Sequence, residues 1–339
     1  MIDLGVLIRI AVSLSPVMLF LVVLIWLDSF KLVSLRQVVR TIVIGAIVAG
    51  VCYLVNSQIV ALIEPSPEAL FRYIAPLVEE TSKALFIVFL IKSRRTGFMV
   101  DAAIYGFAVG AGFAVVENVY YLQALGSATI FTWIVRGFGT AIMHGGATAV
   151  FAIITKTMSE RREESRVGFM LPGLIVAFAI HSAFNHLFLP PIVGTLILVL
   201  VFPIIISVVF QQSEKYTRDW LGVGFDSDQE LLELIKTGNI SDTRVGRYLQ
   251  SLREHFSGEI IADMLCWLRI QVELSIKVKG VMLLREAGFK PAADAATRAK
   301  LEELSYLEES IGKTGLVAIS PIVMANKRDI WQMQLLDGN

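Results

Sequence analysis

Glu79 and Glu80 stand side by side near the middle of an apolar run extending from about Glu68 to Lys92, with Lys83 one helical turn further on. A charged residue at the centre of a membrane helix costs roughly 2.5 to 3.5 kcal/mol even on lenient insertion scales, so two carboxylates there imply a use. Further polar residues lie deep in later apolar runs: Glu117, His144, His181 and Asn185. Carboxylates beside imidazoles can take a proton from water and return it to a leaving group. Two histidines and a glutamate can equally hold zinc and leave one position open for water.

Helix geometry constrains how these groups could act together. Glu79 and Glu80 point about 100° apart, so one is expected to face a cavity while the other supports it. Lys83 follows Glu79 by four residues and Glu80 by three, and its ammonium can reach either carboxylate. A structural ion pair would account for the lysine and one glutamate but leave the second glutamate without a role. His181 and Asn185, four apart, share a helix face. His186 falls one residue off that face and reads as a supporting or interfacial group. Gly145, Gly146 and Ala147 leave room beside the His144 imidazole, and Gly106 with Gly110 forms a small-residue face for close helix packing. Bland readings exist for single residues: Glu117 as a snorkelling interface group, either histidine as a helix-to-helix hydrogen-bond partner.

The elements that must carry these residues follow from composition. Of 339 residues 55% are hydrophobic, and the mean hydropathy of +0.67 is far above that of a soluble domain. The expected fold class is all-α, a polytopic transmembrane helix bundle with a small helical cytoplasmic C-terminal domain. Lysine plus arginine equals aspartate plus glutamate at 30 each, which gives no reason to expect a nucleic-acid partner. Two cysteines, Cys52 and Cys266, do not make a disulfide framework. Seven spans are expected, at about 6–27, 38–63, 68–91, 100–123, 131–155, 168–189 and 191–211, each near the roughly 20 residues that a bilayer core requires. Basic residues cluster after alternate spans: Lys31, Arg36 and Arg40; Lys92, Arg94 and Arg95; Lys156, Arg161, Arg162 and Arg166; Lys215 and Arg218. The intervening connections, including Glu64-Pro65-Ser66-Pro67 and Gly126-Ser127-Ala128-Thr129, carry none. The positive-inside rule then puts the N-terminus outside and the C-terminal region in the cytoplasm of a multi-pass cell-membrane protein.

Two domains are expected, a transmembrane catalytic part over 1–211 and a cytoplasmic helical part over 212–339. In the second, Leu231, Leu234 and Ile235, then Leu301, Leu304 and Leu307, recur at helical spacing, and Gly238, Gly258 and Gly288 to Pro291 supply breaks. Gly312-Lys313-Thr314 lacks the preceding glycine of a phosphate loop, since position 307 is Leu. At 1.5 Å per residue, Glu79, His144, His181 and Asn185 all fall within roughly 10 Å of depth, with Glu117 slightly further out. The depths are therefore compatible with one shared cavity.

Four ordered motifs then coincide: Glu79-Glu80-Thr81-Ser82-Lys83, the Gly110 to Asn118 segment ending Glu117-Asn118, the mid-helix His144, and His181 with Asn185 as His-x-x-x-Asn. This pattern resembles the PrsW family of bacterial intramembrane proteases, related to the prenyl-protein (CAAX) protease clan. The clan's usual arginine and Phe-x-x-x-His differ here, with Lys83 and Thr140 at those places, and the resemblance does not reach residues 220–339. It implies an intramembrane endopeptidase acting on a single-span, membrane-anchored protein such as an anti-sigma factor. By similarity Glu79 is the base that activates water, Glu80 and Lys83 tune it, and His144 orients the water. His181 and Asn185 donate to the oxyanion, and Glu117 is a third carboxylate near the substrate. No cofactor is expected, with zinc as the alternative, because His-Glu-x-x-His and a nearby thiolate are both absent. The other classes that the same residues allow are a proton-coupled transporter, for which no repeat symmetry is visible, and a non-catalytic scaffold presenting the C-terminal domain to a cytoplasmic partner.

Overall fold

A computed structural model describes residues 4–93, 95–124, 128–161, 167–289 and 295–323. Of the residues used in the sequence reading, Arg94, Gly126, Ser127, Arg162, Arg166 and Pro291 lie outside the described set. The described residues form helices and no strand, so the chain is all-α.

The chain divides into two compact units, Met1–Ser213 and Glu214–Asn339, the boundary falling within one long helix. In the first, α1 (Leu4–Leu27) and α2 (Leu35–Ile63) come first. Ser34 starts α2 through a reciprocal cap: its hydroxyl accepts the Gln37 N–H at 3.3 Å, and the Gln37 side chain accepts the Ser34 N–H at 2.9 Å. Glu64, in the left-handed region at φ 47°, ends α2, and Pro65 prevents its continuation. Ser66 then caps the three-residue α3 (Pro67–Ala69), which leads through a π-helical turn, Leu70–Ile74, into α4 (Ala75–Lys92). After α5 (Met99–Ala124), α6 (Ile130–Ile134) passes through a second π-helical turn, Val135–Thr140, into α7 (Ala141–Arg161). α8 (Leu171–Asn185) and α9 (Pro191–Thr237) follow.

Five of these stretches are long and apolar enough to cross a membrane: α1, α2, α5, the run Ile130–Ser159 and α9. The expected third span is present as α4, which is 18 residues long and carries Glu79, Glu80 and Lys83. The expected sixth is α8, at 15 residues. Both therefore miss the length or composition of a free-standing span. Several basic groups read as loop cations lie within helices: Arg36 and Arg40 in the first turns of α2, Lys92 and Arg161 at the ends of α4 and α7, and Arg218 within α9. Lys156 is inside α7, buried, donating to the Thr96 carbonyl at 3.0 Å, and Lys215 is inside α9.

α5 is the central helix. Its apolar window is 83% buried, against 28% for α1 and α2, whose remaining apolar surface faces outward. Small residues make this possible. A Cβ at Gly112 would overlap the Ile42 carbonyl of α2, and one at Gly110 would overlap the His144 carbonyl of α7. α5 can thus approach both neighbours at backbone distance, which fixes the height of His144. In the second unit α10 (Arg244–Ser251), α11 (Gly258–Glu286) and α12 (Ala295–Val323) enclose a core that includes Met264, Leu268, Leu274, Leu307 and Ile311. Lys279, 2% exposed, is held there by Asp228 at 2.6 Å and the Gly224 carbonyl at 2.9 Å. Gly312, at φ 69°, kinks α12 rather than cradling a phosphate.

Candidate active site

α4, α5, α7 and α8 bring five of the seven singled-out residues into one hydrogen-bonded chain. Glu80 is almost fully enclosed, and its Oε1 accepts both the Lys83 ammonium at 2.6 Å and the His181 Nδ1–H at 2.8 Å. Lys83 is wholly buried. It reaches His144 Nδ1 at 3.2 Å and lies 4.9 Å from the centroid of the Phe113 ring. An ammonium can only donate, so His144 accepts at Nδ1 and carries its proton on Nε2, which donates to Glu117 Oε2 at 2.9 Å. The resulting chain runs His181, Glu80, Lys83, His144, Glu117, each link a hydrogen bond between buried or half-buried groups.

Glu79 stands apart from that chain. Its carboxylate lines a cavity of about 440 Å³ together with Glu117, His144, His181 and Asn185. The helix geometry thus separates the neighbours as their 100° offset requires: Glu80 points into the protein and Glu79 into the open space. Glu79 Oε2 lies 3.9 Å from His181 Nε2, too long for a hydrogen bond and suited to a bridging water. The His144 and His181 rings meet edge to face, 4.8 Å between centroids. One ligand atom from each of Glu79, His144 and His181 falls within 4.8 Å of the others, so among the described residues these three could hold a metal ion.

Asn185 is in the cavity wall, but its amide nitrogen donates to the Phe71 carbonyl at 2.9 Å. Ser182, one turn earlier, donates to the Arg72 carbonyl at 2.7 Å. Both carbonyls belong to the π-helical turn Leu70–Ile74, where a hydrogen bond five residues long displaces the usual pairing. α8 therefore holds that turn by two side chains. His186 lies beside it, with Nε2 2.9 Å from the Tyr73 hydroxyl, away from the carboxylate cluster.

Polar cavity-lining residues that spacing did not single out include Asn56 of α2, Tyr121 of α5, Thr132 of α6 and Arg136 of the second π-helical turn. Each of Asn56 and Arg136 is a polar group in an apolar run, the same signal that drew attention to Glu79.

A family model described as "PrsW family intramembrane metalloprotease" matches residues 33–209, just over half of the chain and all of the residues above. The chain belongs to the PrsW family. It is therefore a membrane protein and a peptidase of that family. Among curated relatives, Protease PrsW of Clostridioides difficile (strain 630) is 24% identical over 200 residues, covering 56% of this chain and 83% of the relative. No solved structure matches the chain. The PrsW match ends near the boundary between the two units, so the second unit lies outside the family's common region.

Proposed function

We propose that Glu79 is the base with which this peptidase activates water to hydrolyse a peptide bond of a single-span, membrane-anchored protein. The observation that carries this reading is the different placement of the adjacent glutamates. Glu80 is committed to Lys83 and His181, whereas Glu79 lines the cavity one water's width from His181 Nε2. With its Nδ1–H given to Glu80, His181 has a lone pair at Nε2 to receive one hydrogen of that water while Glu79 removes the other. The water oxygen bonds to the scissile carbonyl carbon, and Glu79 passes the proton to the departing amine as the C–N bond breaks. His144, fixed between Lys83 and Glu117, completes the wall against which the water is oriented.

A second reading rests on the convergence of Glu79, His144 and His181. Two histidines and one carboxylate match a catalytic zinc set, and a ligating histidine commonly gives its other N–H to a carboxylate, as His181 does to Glu80. These residues fit such an ion, which when bound would lower the pKa of its water and polarise the scissile carbonyl. The Lys83 ammonium at His144 Nδ1 weighs against it, since it leaves the proton on the nitrogen that points to Glu117. Turnover in proteoliposomes before and after chelation, with metal analysis of the purified protein, separates the two. Undiminished turnover at sub-stoichiometric metal supports Glu79 alone, and loss on chelation with recovery on adding zinc supports the metal set.

The cavity limits the form of the substrate. One turn of helix occupies roughly 420 to 610 Å³, from a 10–12 Å diameter and a 5.4 Å pitch. A 440 Å³ space accepts about one such turn, so the cavity takes in only the few residues around the scissile bond. A membrane-anchored anti-sigma factor fits this class. By loop charge the N-terminus is outside, the second unit is cytoplasmic, and that unit is the surface for a cytoplasmic partner. Trapping with Glu79→Gln, followed by mass spectrometry of the retained protein, tests the assignment: E79Q should bind the substrate without cutting it. Cleavage by E79Q at the wild-type rate would refute Glu79 as the base.

A further inference from the structure

We infer that Arg136 supplies the positive charge that stabilises the oxyanion formed during peptide hydrolysis, an inference that rests on the cavity being the site of cleavage. Acyl transfer needs a donor aimed at the carbonyl oxygen as it becomes negative. The donors that spacing alone offers are committed elsewhere: His181 Nδ1–H to Glu80, Asn185 Nδ2 to the Phe71 carbonyl, His144 Nε2–H to Glu117. Lys83 is buried behind Glu80 and does not line the cavity. Among the described lining residues Arg136 is the cation.

Its guanidinium is held on three sides. Nε donates to Asn118 Oδ1 at 2.9 Å, and Asn118 is itself anchored by donating to the Ser13 carbonyl of α1 at 2.9 Å. The planar group lies over the Tyr121 ring at 3.8 Å from its centroid. Nη2 is 3.5 Å from Glu117 Oε2, within ion-pair range, yet it is enclosed and makes no hydrogen bond. The ion pair with Glu117 offsets only part of the cost of enclosing the guanidinium, and Arg136 lines the cavity, so its positive charge bears on an oxyanion forming there. The π-helical turn Val135–Thr140 carries Arg136 to this wall, and π-turns recur at functional sites for this kind of re-aiming. Arg136 also neutralises Glu117, which keeps that carboxylate from repelling the negative charge of the intermediate.

The test uses the full chain in proteoliposomes with a fluorescent single-span substrate. Arg136→Ala should lower kcat by about 10²- to 10³-fold, the usual loss for one oxyanion donor, with KM within about threefold of wild type. Methylguanidinium in the buffer should restore part of kcat to R136A and do nothing for E79Q. Arg136→Gln, which keeps an N–H for Asn118, covers the event that R136A fails to fold; it should melt within a few degrees of wild type and lose kcat similarly. Wild-type kcat in R136Q beside an inactive E79Q overturns the inference alone. So does a loss that appears as raised KM or lowered melting temperature without guanidinium rescue. Undiminished turnover in E79Q removes the reading of the cavity, and this inference with it.

Discussion

Lys83 places a charge wholly inside the helix bundle. With no exposed surface, it satisfies Glu80 at 2.6 Å and reaches His144 at 3.2 Å. Removing one partner of a buried pair leaves the other charge uncompensated, at a cost of about 3 to 5 kcal/mol. Lys83→Met should therefore lower the melting temperature in detergent sharply, and Glu80→Gln together with Lys83→Met should recover most of the loss. A double variant no more stable than K83M would show that the pair is not the unit of stability. For activity, alanine at Glu79 should remove turnover by about three orders of magnitude or more, and alanine at His181 or His144, which hold the water and the wall beside it, should cost about 10²- to 10⁴-fold, whereas alanine at Asn185, whose amide serves the Phe71 carbonyl, should leave measurable cleavage. Equal loss at all four, with restoration by zinc, would move the assignment to the metal set. The carboxylates and histidines were readable in the sequence because each is a polar group with no inexpensive place in an apolar run. Arg136 carries the same signal, but what it does depends on Asn118 and Tyr121, which lie on another helix and come near only in the folded chain.

Among the elements, the two π-helical turns do the positioning, and they are the part that a sequence hides. Leu70-Phe71-Arg72-Tyr73-Ile74 has the residues of an ordinary helix, and only tertiary partners take up the carbonyls that the wider turn releases. Ser182→Ala with Asn185→Ala should free those carbonyls at about 1 to 3 kcal/mol each. Hydrogen exchange at Phe71–Ile74 should then rise while that at α5 stays slow, and unchanged exchange at the turn would contradict the role given to α8. The helices themselves follow from apolar runs and caps such as Ser34 with Gln37. What the runs do not reveal is that α8 stops at 15 residues and that α7 extends to Arg161 and buries Lys156. Gly110 shows the opposite case: the small-residue spacing predicts a close approach, and the His144 carbonyl is what approaches.

At the scale of the whole molecule the question is which side each end occupies. With Cys52 and Cys266 replaced by serine, an impermeant thiol reagent applied to intact cells should label Ser66→Cys and Pro190→Cys but not Ser34→Cys or Gly238→Cys. Labelling of S34C from outside would invert the orientation argued from loop charge. The second unit can be examined by itself. A fragment from Glu214 to Asn339 keeps the Asp228 to Lys279 pair and the core around Met264 and Leu268, so it should be soluble, helical and cooperative in melting. Within it Lys279→Met should cost about 3 kcal/mol. If the rest of the chain, ending after Ser213, still cleaves its substrate, the second unit serves recruitment or control and not the chemistry.

The polar character of α4 has a consequence for how the protein is made. Glu79 and the Glu80–Lys83 pair together would cost several kcal/mol if the helix entered lipid by itself, even though Glu80 and Lys83 partly neutralise each other. Their remaining partners are synthesised much later: His144 follows Lys83 by 61 residues, and His181 follows Glu80 by 101. At about 5 to 20 residues per second, a ribosome needs on the order of 5 to 20 seconds to close that interval. During this time α4 has to wait in a protein-lined or aqueous shelter at the insertion machinery, and it enters the bundle only when α7 and α8 arrive. Integration of this segment and completion of the polar cluster are then the same event. Nascent chains arrested before His181 should leave α4 extractable by alkaline carbonate and open to membrane quality-control proteases, while chains arrested beyond Asn185 should not.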